Sequence, residues 1–310
     1  MILCVGTTPA TQRVMVFRKL TLDAVNRAAI TVDGIAGKSV NVAKVLQELG
    51  AEPLATGFIG GDRGEWVRAE LARRGISTAF VTVTTRTRQC ITVMDEATGT
   101  HTELVEEAPA VTAANYTALG EVIQERMAGC RAVVLSGTVA LGGPPGFYAT
   151  CVRLAQAHGV LSIVDAQGAA LADALSARPG LIKPNRTELA ASVGRDLRDD
   201  SAVRAAMREL HERGAQRVVI TAGQAPTLAF DGRGFWSIVP PSIQAVNPIG
   251  SGDAFTAGLV WRLVQGDDLG ESCRWGSAAG TANALTLMAG EVTRSDLDRL
   301  ARETQVTPVS

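Results

Sequence analysis

Gly250-Ser251-Gly252-Asp253 combine two glycines, a serine and an acid directly before an apolar helical pattern over residues 254–263. A glycine-rich loop at a helix start can turn its backbone amides toward an anion, because the first-turn amides have no partner within the helix. Asp253 could then act as a base that takes a proton from an attacking hydroxyl while the amides stabilise the transferring group. The alternative is a first-turn or N-capping aspartate, which helices also favour, and this stretch alone leaves both interpretations open.

A lysine, an asparagine and a glutamate follow a short apolar run, in the order Lys183-Pro184-Asn185 and then Glu188. The proline ends a predicted strand, and Asn185 and Glu188, three residues apart at a helix start, lie on one face of that helix. Their oxygens could hold waters around Mg²⁺ next to ATP phosphates, because this ion usually keeps several of its waters. The structural alternative is a capping box, in which the two side chains satisfy free amides of the helix start.

Gly34-Ile35-Ala36-Gly37-Lys38-Ser39 precedes a predicted helix and partly matches a P-loop, but the first glycine of that motif would fall at Val32. A β-branched valine is poorly suited to the left-handed turn required there. We favour a different arrangement: small residues around Gly37 let the backbone approach a ligand, Lys38 supplies a charge for an anionic group, and Asn41 contributes an amide. The alternative is a tight turn with a solvated lysine.

Two arginines in the N-terminal third of the chain could clamp a phosphate or a carboxylate with a planar fork that lysine cannot copy. Arg88 lies where a run of strand patterns begins, and Arg27 lies in an earlier irregular segment. Exposed arginines are common, so the alternative is a pair of solvated side chains.

Parallel strands would bring these groups together, because ligands of doubly wound α/β sheets bind at the carboxyl ends of the strands. The apolar run over residues 1–6 predicts a central strand, and strands and helices alternate regularly from residue 112 onward. Three polar segments follow core strands in this pattern: Ser136-Gly137-Thr138, Asp165-Ala166-Gln167-Gly168 and Thr221-Ala222-Gly223. The sequence therefore predicts a doubly wound, mostly parallel α/β sheet with the candidate residues along one rim.

A run of strand patterns interrupts this alternation over residues 80–84, 89–94 and 100–105. It predicts an antiparallel flap beside the main sheet, with which residues 11–33 could pair. Other predicted elements are a core strand over residues 54–59, a last helix over residues 271–288 and a frayed tail over residues 306–310.

The composition argues against some classes of binding partner. The 310 residues are 46% hydrophobic, enough for one large core, and 30 lysines and arginines face 31 acids, so no basic surface for nucleic acid is expected. Five scattered cysteines without a Cys-x-x-Cys spacing argue against a disulfide framework or a zinc site and fit a reducing cytoplasm. Without a signal-peptide pattern or an apolar run of spanning length, we expect a soluble protein with no membrane contact.

In their joint order, these motifs resemble the PfkB/ribokinase family of carbohydrate kinases, and within it the branch of 1-phosphofructokinases and tagatose-6-phosphate kinases. The matching segments, spread over nearly the whole chain, are Val25-Asn26-Arg27-Ala28, Ala36-Gly37-Lys38-Ser39-Val40-Asn41-Val42-Ala43, Gly57-Phe58-Ile59-Gly60-Gly61-Asp62, Thr87-Arg88, Ser136-Gly137-Thr138, Lys183-Pro184-Asn185 with Glu188-Leu189, and Gly250-Ser251-Gly252-Asp253. The resemblance implies a ribokinase-like, Rossmann-like core over residues 1–10, 36–83 and 106–310. A small β-sheet lid over residues 11–35 and 84–105, which often makes the contact of a homodimer, is implied as well. The implied reaction is phosphorylation of a sugar hydroxyl that depends on ATP and Mg²⁺.

The resemblance also implies a role for each motif residue. Asp253 would be the catalytic base, and Gly250, Ser251 and Gly252 would form the anion hole. Residues implied to bind the acceptor are Gln12, Arg27, Gly37, Lys38, Asn41, Arg88 and Thr138, with Arg27, Lys38 and Arg88 on a phosphate that the acceptor already carries. Residues implied to bind the nucleotide are Lys183, Asn185, Thr221, Gly223 and Asn283, while Asn185 and Glu188 would hold the metal through water.

Three motifs depart from the family pattern. Thr8-Pro9-Ala10-Thr11-Gln12 replaces Asn-Pro-Ala-x-Asp, so a carboxylate that bonds sugar hydroxyls becomes an amide that both donates and accepts. Ala36-Gly37-Lys38-Ser39 replaces Gly-Gly-Lys-Gly, and Gly223-Gln224-Ala225-Pro226 replaces Gly-x-x-Gly. These departures bear on the acceptor and the nucleotide, and leave the transfer machinery intact.

The leading hypothesis is a cytoplasmic kinase that moves the γ-phosphoryl group of ATP to a hydroxyl of a hexose phosphate, of the fructose-1-phosphate or tagatose-6-phosphate type. The second is a kinase of an unphosphorylated sugar or nucleoside. A third is a sugar-binding relative without turnover, motivated by Gln12 and the altered glycine loop, and a fourth is a P-loop NTPase built on Lys38.

Overall fold

The structure is a computed structural model that describes residues 1–309, which form sixteen strands and ten helices. The strands are β1 (Ile2–Val5), β2 (Ala10–Phe17), β3 (Ile30–Ala36), β4 (Pro53–Thr56), β5 (Phe58–Ile59), β6 (Ser77–Thr78), β7 (Val81–Thr82), β8 (Arg88–Asp95), β9 (Thr100–Val105), β10 (Ala132–Ser136), β11 (Leu161–Asp165), β12 (Leu181–Ile182), β13 (Val218–Ala222), β14 (Ala225–Phe230), β15 (Phe235–Val239) and β16 (Gln305–Val309). The helices are α1 (Lys38–Glu48), α2 (Gly61–Arg73), α3 (Ala113–Met127), α4 (Phe147–Ala157), α5 (Gly168–Ser176), α6 (Arg186–Val193), α7 (Asp200–Glu212), α8 (Ser251–Leu263), α9 (Leu269–Ala284) and α10 (Arg294–Glu303). None of these helices is long and apolar enough to cross a membrane.

A ten-stranded sheet forms the centre, in the order β16-β15-β14-β13-β12-β11-β10-β1-β4-β6. The strands from β13 to β6 in this order pair in parallel, and β14, β15 and β16 continue the sheet in antiparallel pairs. The chain leaves β1 toward β4 on one side and returns to β10 on the other, so the order reverses beside β1. The predicted doubly wound, mostly parallel α/β sheet is confirmed.

The two faces of the sheet are buried under separate layers of helices. Successive residues of a strand point to opposite faces, and in β1 Leu3 and Val5 enter one apolar core while Ile2 and Cys4 enter the other. Helices α3 to α7 cover the first face, and α1, α2 and α8 to α10 cover the second. Strands buried on both faces explain why the central strands are apolar runs without alternation.

Helix α8 is fixed by a very close contact with α9. A Cβ atom at Gly258 would lie 2.4 Å from the carbonyl oxygen of Trp275, and one at Gly276 would lie 2.9 Å from the carbonyl oxygen of Phe255. Only glycine lets the two backbones approach this closely. The contact sets the position of the α8 N-terminus, which carries Asp253.

A four-stranded sheet in the order β3-β2-β8-β9 lies beside the main sheet. The outer pairs are antiparallel, but β2 and β8 pair in parallel, so the predicted flap is mixed and not purely antiparallel. The pairing of the early segment with the flap is confirmed. The assignment of residues 80–84 to the flap is wrong, because β7 pairs with β5 in a separate two-stranded sheet.

The predicted strand over residues 54–59 is also divided. Gly57 has a φ of 150°, and a Cβ atom there would lie 1.9 Å from the carbonyl oxygen of Gly6. The chain therefore bends at this glycine, and its two halves, β4 and β5, join different sheets.

The C-terminal part of the chain differs from the prediction in two ways. Helix α9 ends at Ala284 and not near residue 288, because the chain turns back and the amide of Gly290 donates to Oδ1 of Asn283 at 2.7 Å. The predicted fraying is wrong for residues 306–309, which belong to β16 and pair with β15 along its whole length. Residue 310 lies outside the described residues.

Candidate active site

The glycine-rich loop begins helix α8 as the sequence predicts. Gly250 is the N-cap, with a φ of 87° in the left-handed region, and a Cβ atom there would lie 2.7 Å from the Cβ of Ala289. The amides of Ser251 and Asp253 donate to the carbonyl oxygens of Pro248 and Gly250, each at 3.1 Å. Within residues 1–309 the amide of the exposed Gly252 has no backbone acceptor, so it is free to bind an anion.

Asp253 does not cap its own helix. The residue is 6% exposed, and its Oδ2 accepts a 2.8 Å hydrogen bond from Nδ2 of Asn41 in α1. Burial raises the pKa of Asp253 to about 6, against the lowering effect of the Lys38 ammonium, while the charge of Asp165 adds to the increase. Near neutral pH the group is thus mostly ionised, and with its raised pKa it is a stronger base than an ordinary aspartate, which suits a proton acceptor.

Asp165 is a site residue to which the sequence analysis assigned no role. It ends β11, is 1% exposed, and lies between two lysines: Lys38 Nζ is 3.1 Å from Oδ1 and Lys183 Nζ is 3.2 Å from Oδ2. Thr256 Oγ1 also donates to Oδ2 at 3.0 Å. Burial would raise the pKa of Asp165, but the charges of Lys183 and Lys38 outweigh it and lower the pKa. An acid at the end of a buried strand was the signal that could have identified it.

Lys38 reaches the site from the first residue of α1. Gly37 has a φ of 104°, and a Cβ atom there would lie 2.9 Å from the Cα of Pro9, so the turn before the helix requires glycine. The charge of Asp165 raises the pKa of Lys38, and the lysine side chain is 40% exposed. Residues 30–36 are a strand, β3, and not the loop that a P-loop needs, which excludes the NTPase hypothesis.

Lys183, Asn185 and Glu188 lie at the end of β12 and the start of α6. The capping box is present: Asn185 Oδ1 accepts from the Glu188 amide and Glu188 Oε2 accepts from the Asn185 amide, each at 2.8 Å. Within the described residues no cluster of three or more His, Cys, Asp or Glu side chains could enclose a metal ion. An exposed amide and a carboxylate are a donor set that fits Mg²⁺ held mainly by water and phosphate.

The other residues implied to bind nucleotide differ in accessibility. Thr221 lies in β13 and forms a parallel bridge with Asn185, while Gly223 is exposed in the turn to β14. Asn283 is fully buried, and its Nδ2 donates to the carbonyl oxygen of Ile249 at 2.9 Å. Its side chain therefore holds the backbone of the glycine-rich loop.

Gln12 is buried in β2, and only one end of its side-chain amide has a hydrogen-bond partner. Its Nε2 donates to Thr92 Oγ1 at 3.0 Å, and its Oε1 is buried without a hydrogen-bond partner within residues 1–309. Thr92, in β8, had no role in the sequence analysis. An unsatisfied buried oxygen is costly, so a hydroxyl donor from a ligand would stabilise it.

The remaining residues implied to bind the acceptor do not all lie together. Arg88 lines a cleft with Thr8, Pro9 and Gly60, and its Nε donates to the carbonyl oxygen of Thr8 at 3.2 Å. Arg27 is exposed between β2 and β3 and makes no hydrogen bond or ion pair within the part of the chain that the structure describes. Thr138 is exposed after β10. Contacts thus join Asn41 to Asp253, and Lys38 and Lys183 to Asp165, and the charges of the second group act on Asp253. Arg27 and Thr138 make none of these contacts.

The chain is similar to known carbohydrate kinases. A family model described as pfkB family carbohydrate kinase matches residues 1–293. A tagatose-6-phosphate kinase from Staphylococcus epidermidis is 28% identical over 312 residues, which cover 100% of both chains. A crystal structure from Thermotoga maritima named "Possible 1-phosphofructokinase" has a TM-score of 0.92 and 26% identity, covering 100% of this chain and 99% of the other. Phosphofructokinase-2 from Escherichia coli in complex with fructose-6-phosphate has a TM-score of 0.87 and 27% identity over 97% of each chain.

Proposed function

The chain belongs to the pfkB family of carbohydrate kinases, and we propose that it transfers the γ-phosphoryl group of ATP to a hydroxyl of a hexose phosphate. The observation that carries the proposal is the environment of Asp253: a buried carboxylate with a pKa of about 6, next to a free glycine amide and within the field of two lysines. A protein that only binds sugars has no use for a base at an anion site, so a relative without turnover is disfavoured.

Each residue of the cluster has a place in the transfer. Asp253 accepts the proton of the attacking hydroxyl, while Asn41 holds its carboxylate in position. The Gly252 amide and Lys183 stabilise charge on the transferring group, because a Cβ atom at Gly252 would be only 3.7 Å from Lys183 Nζ. Mg²⁺, held through water by Asn185 and Glu188, would neutralise the ATP phosphates.

A phosphorylated acceptor is supported by the charges on the acceptor side. Arg88 borders a cleft that also contains Pro9, and Pro9 packs against Gly37, directly before Lys38. Arg88 and Lys38 are the two cations that we propose to bind a phosphate on the acceptor. The relatives named for tagatose-6-phosphate, 1-phosphofructokinase and fructose-6-phosphate point to the same class of acceptor, of the fructose-1-phosphate or tagatose-6-phosphate type.

The four-stranded sheet is proposed as the lid of this site, with residues 11–35 and 84–105, and as the contact of a homodimer. Its outer strand β9 is largely exposed, and Leu104 and Val105 are 53% and 46% exposed. Exposed apolar side chains on an edge strand suit association with a second copy. The proposed location is the cytoplasm.

A kinase of an unphosphorylated sugar or nucleoside is the second candidate. The observation that favours it is the position of Arg27, which is exposed and engages no group in the described residues. If Arg27 stays in solvent, one cation fewer is available to bind a phosphate on the acceptor.

An ATP-consumption screen over sugars and sugar phosphates tests the proposal, with Asp253→Asn assayed beside the unaltered enzyme. We expect turnover with a hexose phosphate and a loss of about 10² to 10⁴ in kcat for the variant, the usual effect of removing a positioned proton acceptor. Turnover only with unphosphorylated acceptors would select the second candidate. An Asp253→Asn enzyme that keeps its rate would refute the base assignment.

A further inference from the structure

Lys44 is a buried lysine of α1 that the proposed transfer does not use. Its ammonium lies 3.0 Å from Oε1 of Glu291 and donates to the backbone carbonyl oxygens of Ala289 at 2.6 Å and Ile35 at 3.3 Å. Three acceptors match the three N–H donors of an ammonium group. The side chain is 1% exposed, so these groups and not water satisfy its charge.

The charge of Lys44 is compensated locally. Burial lowers the pKa of Lys44, and the carboxylate of Glu291 offsets part of this effect. Glu291 is also paired with Arg74, whose Nη1 lies 2.8 Å from Oε1. Glu291 therefore keeps Arg74 as a partner when Lys44 is replaced. Substitutions of Lys44 and of Glu291 can thus test the carbonyl contacts of Lys44 separately from its ion pair.

The carbonyl contacts of Lys44 belong to two segments at the border of the site. Ile35 lies near the end of β3, just before the Gly37 turn that leads to Lys38. Ala289 belongs to residues 285–291, the segment that follows α9 and that we call the buttress segment. Lys44 thus links the end of β3, in the four-stranded sheet, to the buttress segment.

The buttress segment packs against the glycine-rich loop. A Cβ atom at Gly250 would lie 2.9 Å from the Cα of Ala289, so the two backbones are in direct contact. One residue further, the Gly290 amide donates to Asn283 Oδ1 at 2.7 Å, and Asn283 Nδ2 donates to the carbonyl oxygen of Ile249 at 2.9 Å. The loop that presents the Gly252 amide is therefore supported by this segment.

The same segment touches the acceptor side of the site. A Cβ atom at Gly34 in β3 would lie 2.4 Å from Cε of Met288, and one at Gly290 would lie 2.8 Å from the Cα of Asn41. Leu287 and Met288 also pack on the apolar cluster of the four-stranded sheet. A shift of the buttress segment would disturb both the glycine-rich loop and Asn41, the partner of Asp253.

We infer that Lys44 is a positioning residue of the phosphoryl transfer: its ammonium holds the buttress segment so that the Gly252 amide and Asp253 keep their orientation. The inference rests on the proposed function. It predicts an effect on the transferring group, whose stabilisation depends on sub-ångström geometry, and little effect on the binding of either substrate.

The test compares Lys44→Met, Lys44→Ala and Glu291→Gln with the unaltered enzyme, using kcat per folded molecule, both KM values and thermal unfolding. Lys44→Met should lower kcat about 10²-fold with KM values nearly unchanged, as expected for a small misplacement of catalytic groups. Lys44→Ala should lose the same activity, and methylammonium ions should restore part of it by occupying the vacated space. They should not restore Lys44→Met, whose side chain fills that space. Glu291→Gln should keep its kcat, since the Lys44 nitrogen keeps at least two N–H donors for the two carbonyl oxygens, whether or not it stays protonated.

Several outcomes would overturn the inference. Lys44→Met could keep its kcat and lose only thermal stability, or its loss could lie in KM. Methylammonium could raise both variants or neither. If Lys44→Met fails to fold, the double variant Lys44→Met/Glu291→Gln replaces it, because it removes the carboxylate charge together with the ammonium charge that offsets it. The unaltered enzyme and Asp253→Asn, run in parallel, test the proposed function separately, since both retain Lys44.

Discussion

The side-chain amide of Asn41 donates a 2.8 Å hydrogen bond to Asp253, although 212 residues separate the two in the chain. The bond joins the first turns of α1 and α8, so the acceptor side of the site and the proposed base are fixed to each other. Oδ1 of Asn41 is buried without a partner within residues 1–309. Asn41 thus orients the proposed base with its amide nitrogen, while its oxygen lies next to Gly290.

Asn41→Ala should shift the pH dependence of the reaction. The hydrogen bond from Asn41 lowers the pKa of Asp253, which is about 6 in the intact site, and its loss should raise that pKa. Because the proposed base acts in its ionised form, the acidic limb of the kcat/KM profile should move to higher pH. A profile measured between pH 5 and 8 checks this, and an unmoved acidic limb would mean that another group titrates.

Asp253→Asn should stabilise the folded protein above pH 6. Burial raises the folded pKa of Asp253 from 3.8 to about 6, so ionisation costs the folded state on the order of 3 kcal/mol once the pH exceeds both values. Below about pH 4 the group is protonated in the folded and unfolded states, and the cost disappears. The difference in unfolding temperature between variant and unaltered protein should therefore grow from pH 4 to 6 and then level off.

Asp298→Asn provides the control for this pH dependence. It changes a partly exposed acid that pairs with Arg294, so its effect on stability should be small. If Asp253→Asn destabilised the protein at pH 8, the carboxylate would be stabilising the fold, contrary to the raised pKa.

The sequence contained the architecture and much of the site. Core strands appeared as apolar runs, and the rule that ligands bind at their carboxyl ends predicted the rim on which Lys38, Lys183 and Asp253 meet. Which sheet a strand joins could not be predicted from its local sequence. Residues 80–84 have a strand pattern, but the bend at Gly57 decides which sheet they join. The tail is similar, because residues 306–309 become a strand only through pairing with β15.

Residues whose roles depend on distant partners were also missed. Asp165 stands at a strand end like several other polar residues, and only the fold places it between two lysines. Lys44 follows Asn41 by three residues and has no local signal of burial. Its acceptors come from Ile35 and from Ala289, 245 residues away.

Arg88→Gln should weaken binding of a phosphorylated acceptor. Arg88 borders the cleft next to Pro9, and loss of its charge should raise the KM for a hexose phosphate about tenfold or more, while KM for ATP stays unchanged. Arg299→Gln is the control, since Arg299 is exposed in α10, pairs with Asp296 and Glu303, and does not line that cleft. Equal effects of the two variants, or no effect of Arg88→Gln, would remove the proposed phosphate contact.

Thr92→Val should make the enzyme less selective for its acceptor, because Thr92 determines whether the oxygen or the NH₂ group of the Gln12 amide is free. Its Oγ1 accepts from Gln12 Nε2 at 3.0 Å, which leaves Oε1 as the proposed acceptor for a sugar hydroxyl. Without Oγ1 the amide can rotate and present its NH₂ group. Loss of one such hydrogen bond should lower kcat/KM for the preferred acceptor about tenfold and narrow its advantage over epimers. Thr11→Val is the control, since Thr11 Oγ1 has no partner in the described residues, and equal loss in both variants would show that valine disturbs the sheet and that Thr92 does not orient Gln12.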